Sequence, residues 1–311
     1  MKFLGVLFLL FLVLSCTKEV KIDIPGFKPE LVVEGTIEAG AFPIVLLSQS
    51  ANVYQEITFL EAYVNSFVTS ANVRIVVDGD TIPLQLFYIA ELPVESQKKF
   101  AEMLRVDWPE ITLVPIQVYS STTLQGIAGK TYELLIDYNQ KSYNAITLLP
   151  QPVGFAGLNF LPLAENEEYG VIKALLNDPI EANFYKCEYK RIQEFEGQPM
   201  DLLFKRSRRG YFRDRYFNGG TVDFDFTSNL KRRDSTHLKK YEDYFRKGHL
   251  VVFKLSTMDK NVYDFFRRKR TQLENNNSPF SSPVNLVSNV KGGALGVWAG
   301  YTPTYDTVFC Q

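Results

Sequence analysis

The sequence predicts a mainly β protein: a β-sandwich with a helical insertion, followed by a second, mixed β domain with one prominent helix. Three observations support this fold class. Apolar and polar residues alternate over strand-like lengths from about residue 30 onward. Turn-forming tripeptides separate pairs of β-rich runs, as they do in hairpins. Two segments have apolar residues at helical spacing instead, Val94–Arg105 and the stretch after Ser256.

The N-terminus has the features of a secretory signal peptide. Lys2 precedes the twelve uncharged residues Phe3–Leu14, and Ser15 leads to Cys16. A membrane-spanning helix needs about 20 apolar residues, so this run is too short to be a permanent anchor. Val-Leu-Ser-Cys resembles a bacterial lipobox, which predicts that residues 1–15 are removed and that Cys16 is lipidated. The alternative is an ordinary secreted protein with a cysteine at its cleavage site.

The mature chain would have 296 residues, which is more than one hydrophobic core usually organises. We therefore predict a lipid-anchored tether over residues 16–29, a β-sandwich domain over residues 30–150 and a second β-rich domain over residues 151–311. Proline and glycine punctuate the tether, and three further prolines mark the passage between the domains: Pro150, Pro152 and Pro162.

The elements of the first domain follow from period-two patterns and turn chemistry. In ELVVEGTIE, Glu30–Glu38, alternate side chains are apolar, so one face of the strand is predicted to be buried. Asp78-Gly79-Asp80 and Asn139-Gln140-Lys141 each lie between two β-rich runs and predict hairpins. Strands at this spacing are typical of a β-sandwich. Val94–Arg105 interrupts them as a helical insertion.

The second domain is also rich in extended patterns, such as HLVVFKL, which ends at Leu255. Its prominent helix is predicted to start at Ser256, whose hydroxyl would cap the first turn together with Asp259. Four residues form the predicted buried stripe: Val262, Tyr263, Phe266 and Leu273.

With Cys16 assigned to the anchor, two further cysteines remain, Cys187 and Cys310. In an oxidising compartment two thiols can close a disulfide, so these residues are a candidate pair. The alternative is two buried, unpaired and inert thiols. Sequence alone leaves both open.

The charge of the chain is unevenly distributed. The formal net charge is −1, yet residues 200–270 contain 19 Lys and Arg against 9 Asp and Glu. We predict a surface for an anionic partner, formed by Lys205, Arg206, Arg208, Arg209, Arg213, Arg215, Lys231, Arg232 and Arg233. Its partner would be anionic lipid headgroups or lipopolysaccharide phosphates, or the acidic face of a protein. The alternative is a β-hairpin with a solvated, salt-bridged face. No nucleic-acid fold signature accompanies these residues, so no nucleic-acid partner is predicted.

The sequence nominates no metal, cofactor or catalytic centre. Its two histidines, His237 and His249, have no metal-ligand spacing, and no G-x-S-x-G motif nominates a serine nucleophile. The acidic groups at 165–168 and 223–225 are predicted to be solvated turns rather than calcium sites. The glycines between 292 and 300 predict a bulged or closely packed final strand rather than a nucleotide loop. We therefore predict a protein that is not an enzyme.

Several segments resemble a known family. They are CTKEVKIDIP, LVVEGTIEAG with VLLSQS, GKTYELLIDYNQKSYNAITLLP, LNDPIEANFYKCEY and SPVNLVSNVKGGALGVWAGYTPTYDTV. In this order they are similar to the Bacteroidetes lipoproteins catalogued as domain of unknown function four-two-four-nine. The resemblance implies an outer-membrane lipoprotein on the cell-surface side, with an immunoglobulin-like or transthyretin-like first domain. The stretch Tyr88–Ser120 is longer than the family pattern leads one to expect.

The resemblance also implies a function. Such lipoproteins occur beside TonB-dependent receptor-like barrels, so we expect a non-enzymatic accessory subunit of an outer-membrane β-barrel, either a TonB-dependent transporter or a machine for outer-membrane protein assembly or export. The alternative is a surface module that binds glycan or peptide on exposed rings of Tyr211, Phe212, Tyr216 and Trp298. A third class, an envelope hydrolase, would require a histidine in a pocket beside a nucleophile and an acid.

Overall fold

The prediction of a mainly β protein is confirmed by the structure, a computed structural model that describes residues 28–50, 66–195, 197–228, 239–275 and 287–311. The described residues include two α-helices, α1 (Val94–Leu104) and α2 (Lys260–Asn275). The strands are β1 Leu31–Glu38, β2 Ile44–Gln49, β3 Asn72–Val77, β4 Asp80–Pro83, β5 Gln85–Tyr88, β6 Gln117–Ser120, β7 Thr131–Tyr138, β8 Lys141–Leu148, β9 Phe155–Leu163, β10 Asn166–Asn177, β11 Phe184–Arg191, β12 Glu194–Phe195, β13 Gln198–Pro199, β14 Lys205–Arg213, β15 Thr221–Phe226, β16 Phe245–Arg246, β17 Leu250–Met258, β18 Val290–Lys291 and β19 Leu295–Phe309.

An eight-stranded sheet forms the centre of the molecule, in the order β14-β11-β17-β19-β1-β2-β6-β5. The long strand β19 pairs in parallel with β1 through its first half, from Val32 opposite Leu295 to Glu38 opposite Tyr301. Its second half pairs antiparallel with β17. The first and last strands of the folded chain are therefore neighbours.

One half of this sheet packs against a five-stranded sheet in the order β18-β8-β7-β3-β4, which gives a β-sandwich. Fully buried Trp298 lies at its centre and donates its indole N–H to the carbonyl of Tyr132 at 3.0 Å. Gly35 lets the ring approach, because a Cβ at that position would lie 2.7 Å from Trp298 Cε3.

The other half of the same face packs against the sheet β15-β10-β16, to which β9 is added through β10. This second core is rich in aromatic rings, with Phe226 and Phe253 in contact at a centroid distance of 5.1 Å.

The predicted division at residue 150 falls between these two cores, but the eight-stranded sheet runs through both. The first core also contains Val290, Ala294 and Trp298 from the end of the chain. Independent folding of residues 30–150 and 151–311 stays a prediction.

Both helices lie on the opposite side of the eight-stranded sheet, which we call the helix-covered face. From α1, Phe100 and Ala101 pack with Ile44 and Leu46 of β2. Val262 and Phe265 of α2 pack with β19, in a cluster that includes Ala299. The predicted helical insertion is confirmed, and Arg105 ends it in a left-handed conformation with φ 58°.

The predicted start of the second helix at Ser256 is wrong. Ser256 belongs to β17, where it lies opposite Lys186 of β11 and Pro303 of β19. Strand pairing on both sides keeps the chain extended to Met258. The cap is Asp259, whose Oδ1 accepts from the backbone N–H groups of Asn261 and Val262 at 2.8 and 3.0 Å.

Both predicted hairpins are present. Asp78 and Gly79 connect β3 to β4 with φ values of 53° and 89°, and Asn139 and Gln140 connect β7 to β8 with φ values of 49° and 60°. Positive φ at both central residues is the geometry of the type I′ turn, one of the two turns that two-residue hairpin loops favour.

Candidate functional site

A row of charged side chains, three of them buried and one half-buried, crosses the helix-covered face. It consists of Glu38 on β1, Lys254 on β17, Glu188 on β11 and Arg206 on β14, and we call it the charge row. Strand register aligns it, because Glu188 lies opposite Lys254 on one side and Arg206 on the other. Directly opposed residues project to the same face of a sheet, so the side chains are neighbours.

A buried ion pair in the charge row joins the two halves of the sheet. Glu38 Oε1 lies 2.9 Å from Lys254 Nζ, and Glu38 Oε2 lies 2.6 Å from Lys99 Nζ of α1. Only 9% of the Glu38 side chain and 3% of the Lys254 side chain are exposed. A buried charge is tolerated only when it is paired, and here one carboxylate has two ammonium partners.

The pKa values of this pair follow from that arrangement. Burial alone would raise the pKa of Glu38, but the charges of Lys254 and Lys99 outweigh it and hold the pKa well below its usual range. Burial would lower the pKa of Lys254, but Glu38 and Glu188 raise it above its usual range. Both groups therefore remain charged at neutral pH.

Helix α1 makes a second contact beside the charge row. Glu102 Oε1 accepts the backbone N–H of Phe204 at 2.9 Å, and burial raises the pKa of this carboxyl despite the nearby Lys254. The Phe204 ring covers two cations, with Lys190 Nζ at 4.7 Å and Lys254 Nζ at 5.7 Å from its centroid. The end of α1 is thus tied to the segment that leads into β14.

Only one of the two carboxylate oxygens of Glu188 has a partner among the described residues. Its Oε1 lies 2.8 Å from Lys186 Nζ, whereas its buried Oε2 has no hydrogen-bond partner in the described part of the chain. Burial acts to lower the pKa of Lys186, but Glu188 raises it overall. The Lys186 ammonium also lies 5.2 Å from the centroid of the Tyr301 ring.

At the β14 end, the charge row meets two further arginines. Arg206, Arg105 at the end of α1 and Arg270 on α2 form what we call the arginine cluster. Burial, followed by the charges of Arg105 and Arg270, lowers the pKa of the Arg206 guanidinium. Among the described residues, no carboxylate lies within 4.0 Å of Arg105 or Arg206.

The structure divides the predicted anionic-partner surface between two places. Arg206 lies over the ring of Tyr211, which stacks on Phe266 of α2. Arg208 and Arg209 of β14 and Arg215 in the turn after it are exposed at the edge that β14 forms among the described strands, and we call these three the basic edge. Arg208 lies 3.7 Å from Asp243, and Arg209 lies 5.2 Å from the Phe224 ring centroid. The Arg215 guanidinium is 5.5 Å from the centroid of the Tyr216 ring.

The remaining residues of the predicted basic surface are ion-paired, half-buried or outside the described residues. Lys205 pairs with Asp201, whose carboxylate also binds Arg191 at 2.8 Å. Arg213 is half-buried opposite Phe184. Three predicted members lie outside the described residues: Lys231, Arg232 and Arg233. The alternative, a β-hairpin with a solvated, salt-bridged face, is wrong about strand pairing. β14 pairs with β11 and β15 pairs with β10, so these two strands do not form a hairpin with each other.

The candidate disulfide is not formed. Cys187 and Cys310 are free, buried thiols, which is the arrangement of the alternative prediction. Register gives the reason: Cys187 lies opposite Leu255, which lies opposite Thr304. Cys310 is six residues further along, or about 20 Å in an extended strand, whereas a disulfide needs Cα atoms within about 7 Å. The predicted lipidation residue, Cys16, lies outside the described residues.

The rings proposed for glycan or peptide stacking do not form a common exposed surface. Trp298 is fully buried, Tyr211 stacks on Phe266 at 5.2 Å, and Phe212 stacks on Tyr185 at 5.1 Å. Tyr216, by contrast, is 88% exposed. Three of the four rings are therefore used in packing.

The structure also places one of the two histidines and two of the acidic residues that were considered as metal ligands. His249 is buried, and its Nδ1 accepts the backbone N–H of Arg246 at 3.2 Å, while His237 lies outside the described residues. Glu168 and Asp223 are ion-paired with Arg246 and Lys173, at 2.5 and 3.1 Å.

Within the described ranges, no group of three or more His, Cys, Asp or Glu residues could hold a metal ion. None of the described helices is both long and apolar enough to span a membrane.

The predicted close packing of the final strand is present. At Gly296, φ is 108°, and a Cβ would lie 1.9 Å from the carbonyl oxygen of Val33. At Gly300, a Cβ would approach Thr147 Oγ1 and Leu149 Cδ1 to 2.8 Å. These glycines permit β19 to lie against its neighbours.

Sequence reasoning missed most of the charge row and two members of the arginine cluster. The available signal was a single charged residue within an otherwise strand-like apolar run. Lys254 in HLVVFKL fits that description, whereas Glu38 is one of three glutamates in the alternating string ELVVEGTIE and gave no such signal. A lone charge in such a run requires a partner on a neighbouring strand.

These features define a mainly β protein whose helix-covered sheet face carries a buried charge row ending near a basic edge. The chain belongs to the family described as Domain of unknown function (DUF4249), whose model matches residues 17–306. No curated protein matches the chain.

Proposed function

We propose that this protein is a lipid-anchored, non-enzymatic component of the outer membrane that acts as an accessory subunit of an outer-membrane β-barrel. The barrel would be a TonB-dependent transporter or a machine for outer-membrane protein assembly or export. The observation that carries the proposal is the basic edge, where Arg208 and Arg209 of β14 and Arg215 in the turn after it are exposed beside the last described strand of a large sheet.

The proposed anchor is Cys16, at the end of the apolar N-terminal run. Two or more acyl chains hold a protein on a membrane, whereas one chain gives marginal binding. Fourteen residues separate Cys16 from Leu31, the first residue of β1. Even fully extended they span only about 50 Å, so the folded body would stay close to a membrane-embedded partner.

The basic edge is suited to side-chain recognition of an acidic protein surface. The pairing of β11 with β14 shifts register between Lys186 and Glu188, and residues 207–210 of β14 lie in the resulting bulge. Such a bulge disfavours the addition of another strand, which leaves the arginine side chains as the contact groups. Positive side chains facing an acidic surface increase the association rate and select the partner.

The alternative, a glycan- or peptide-binding module, depends on rings that the structure uses for packing. Tyr216 is the exposed one of the four named. We therefore favour the basic edge over a ring platform.

An affinity pull-down of the natively anchored full chain from detergent-solubilised outer membrane tests the proposal. Mass spectrometry is expected to find one β-barrel protein in stoichiometric amount. The variant Arg208→Glu/Arg209→Glu is expected to recover at least about tenfold less of it, as charge reversal at an interface produces repulsion. Recovery of the chain alone, or equal recovery by the variant, would contradict the proposal.

A matched control reverses two exposed lysines on the five-stranded sheet, Lys141→Glu/Lys291→Glu, which changes the net charge equally. This variant is expected to recover the barrel as the wild type does. The N-terminal peptide tests the anchor separately: it should begin at Cys16 and carry acyl groups, and an unmodified peptide would refute lipidation.

A further inference from the structure

We propose that two joined loops at one end of the eight-stranded sheet insert two apolar side chains, Ile180 and Tyr216, into the interface of a lipid bilayer. The loops are residues 178–183, before β11, and residues 214–220, after β14, and we call them the tip loops. The inference rests on the proposed lipid anchor at Cys16 and deepens it, because it assigns the part of the folded body that faces the membrane.

Both apolar side chains are exposed to an extent that is rare in this protein. Ile180 is 82% exposed and Tyr216 is 88% exposed. Among the large apolar residues that the structure describes, only Leu113, at 84%, is as exposed, and the next value is 54%, at Phe309 and one other residue. Grouped apolar side chains in water commonly mark a contact with a protein or a membrane. Two of the three most exposed residues of this kind are on the tip loops.

Backbone hydrogen bonds join the two tip loops to each other. The Gly219 N–H donates to the Pro179 carbonyl at 3.1 Å, and the Asp214 N–H donates to the Asn183 carbonyl at 3.3 Å. The Ile180 side chain lies against the second loop, because a Cβ at Gly219 would be 3.3 Å from Ile180 Cγ1. Ile180 is therefore held on the loop that carries the exposed tyrosine.

Two buried aspartates fix the tip loops from within the fold. One oxygen of Asp178 accepts the hydroxyl of Tyr185, and the other accepts the Gly219 N–H at 3.3 Å. The Asp214 carboxylate accepts the backbone N–H of Asn183. Because the loops are already held in place, little conformational freedom is lost when their side chains make a contact.

Strand directions place the tip loops at the end of the sheet where the N-terminal segment emerges. β19 is parallel to β1, and successive antiparallel pairings reverse the direction at β17, at β11 and at β14. β11 therefore begins, and β14 ends, at the end of the sheet where β1 starts. The tip loops precede β11 and follow β14, so an anchor upstream of β1 and the tip loops lie at the same end.

The length of the anchoring segment allows both parts to reach one membrane surface. β17 pairs with β19 only as far as Thr302, seven residues from the start of β19 at Leu295, so the tip loops are set back by about 23 Å. The fourteen residues between Cys16 and Leu31 span up to about 50 Å when extended. The segment is therefore long enough for the body to lie with its tip loops on the bilayer.

The chemistry of the tip loops suits the lipid interface. Their exposed charges balance, because Arg215 and Glu181 are exposed and both aspartates are buried. Apolar insertion, rather than charge attraction, would therefore hold the contact. A tyrosine ring lies favourably at the level of the headgroups, and an isoleucine side chain reaches the acyl boundary. The Arg215 guanidinium, 5.5 Å from the centroid of the Tyr216 ring, is placed to donate to a lipid phosphate.

Quenching by spin-labelled lipids tests the contact. The natively anchored full chain is purified in detergent and reconstituted into vesicles of phosphatidylethanolamine and phosphatidylglycerol that contain a lipid spin-labelled near its headgroup. A fluorophore at Ala182→Cys, on the first tip loop, is expected to be quenched at least about threefold more than one at Lys247→Cys, in the turn before β17 at the opposite end of the sheet. Cys187 and Cys310 are buried and do not compete for the label. Equal quenching at the two positions would overturn the proposal.

Paired variants assign the contact to the two apolar side chains. Ile180→Ser/Tyr216→Ser is expected to reduce the quenching at Ala182→Cys at least about threefold, because interfacial binding increases with the apolar area buried. Leu113→Ser/Ile127→Ser removes two exposed apolar side chains outside the tip loops and is expected to leave the quenching unchanged. All four side chains are exposed, so the variants should keep the fold. An equal loss with both pairs would refute insertion by the tip loops.

Flotation of the same vesicles separates this inference from the proposed anchor. A chain that floats without excess quenching at Ala182→Cys keeps the anchor and refutes the tip contact. A chain that does not float refutes the anchor, and this inference with it. Excess quenching that required added barrel protein would show that the tip loops contact the partner instead, and would likewise refute a lipid contact.

Discussion

Glu38 and Lys254 form a buried ion pair of 2.9 Å between residues that are 216 positions apart in the sequence. The pair links β1, at the start of the folded chain, to β17 across the intervening strand β19. Lys99 of α1 completes it on the other carboxylate oxygen. One carboxylate therefore connects a helix and two strands on the helix-covered face.

Removing this carboxylate should destabilise the fold strongly. We expect Glu38→Gln to lower the free energy of unfolding by about 3–5 kcal/mol, because Lys254 and Lys99 would lose their buried counter-charge. Asp223→Asn breaks the exposed pair with Lys173 and should cost less than about 1 kcal/mol. Denaturant titration measures both, and equal losses would show that the buried pair has no special role.

Stability should fall in acid because of the same residue. The pKa of Glu38 is lower in the folded protein than in the unfolded chain, so the unfolded chain takes up a proton first as pH falls. The stabilisation is thus complete above about pH 5 and decreases below it. Unfolding free energies measured from pH 7 to pH 3 should fall less steeply for Glu38→Gln than for wild type. Parallel curves would contradict the assignment.

The contact between Gly35 and Trp298 makes a steric prediction. Gly35→Ala should lower the free energy of unfolding by about 1–3 kcal/mol, since the new methyl group would lie 2.7 Å from a ring fixed in the core. Gly157 has no atom within 4 Å of its hypothetical Cβ, and its φ is not positive. Gly157→Ala is therefore the matched control, expected to stay within about 1 kcal/mol of wild type.

The two buried cysteines should be unreactive until the protein unfolds. Burial raises the pKa of Cys310 to about 12 and that of Cys187 further, so neither is a thiolate at neutral pH. A thiol reagent should label neither in the native protein and both in denaturant without reductant. If the denatured protein required a reductant before labelling, the two would be bonded after all.

Sequence reasoning reached the local features of this fold and part of the candidate site. The hairpin turns at Asp78-Gly79 and Asn139-Gln140 were predictable because positive φ restricts residue choice locally. The start of α2 was not, since pairing of β17 with two neighbours keeps Ser256 extended. Within the predicted basic surface, Arg206 and Arg208 have similar neighbours in the sequence. Because β14 has a bulge, Arg206 lies over the Tyr211 ring, whereas Arg208 lies near Asp243.

By itself, the sequence determined the mainly β class, the helical insertion, the turns and the membership of residues 17–306 in the family. These depend on the alternation of apolar and polar residues, on turn chemistry and on the order of segments, all of which are local features of the sequence. Only the tertiary structure decided the pairing of β1 with β19, the ion pair of Glu38 with Lys254 and the arginine cluster. Each unites residues distant in sequence through strand register and helix packing, and such contacts leave no periodic trace in the local sequence.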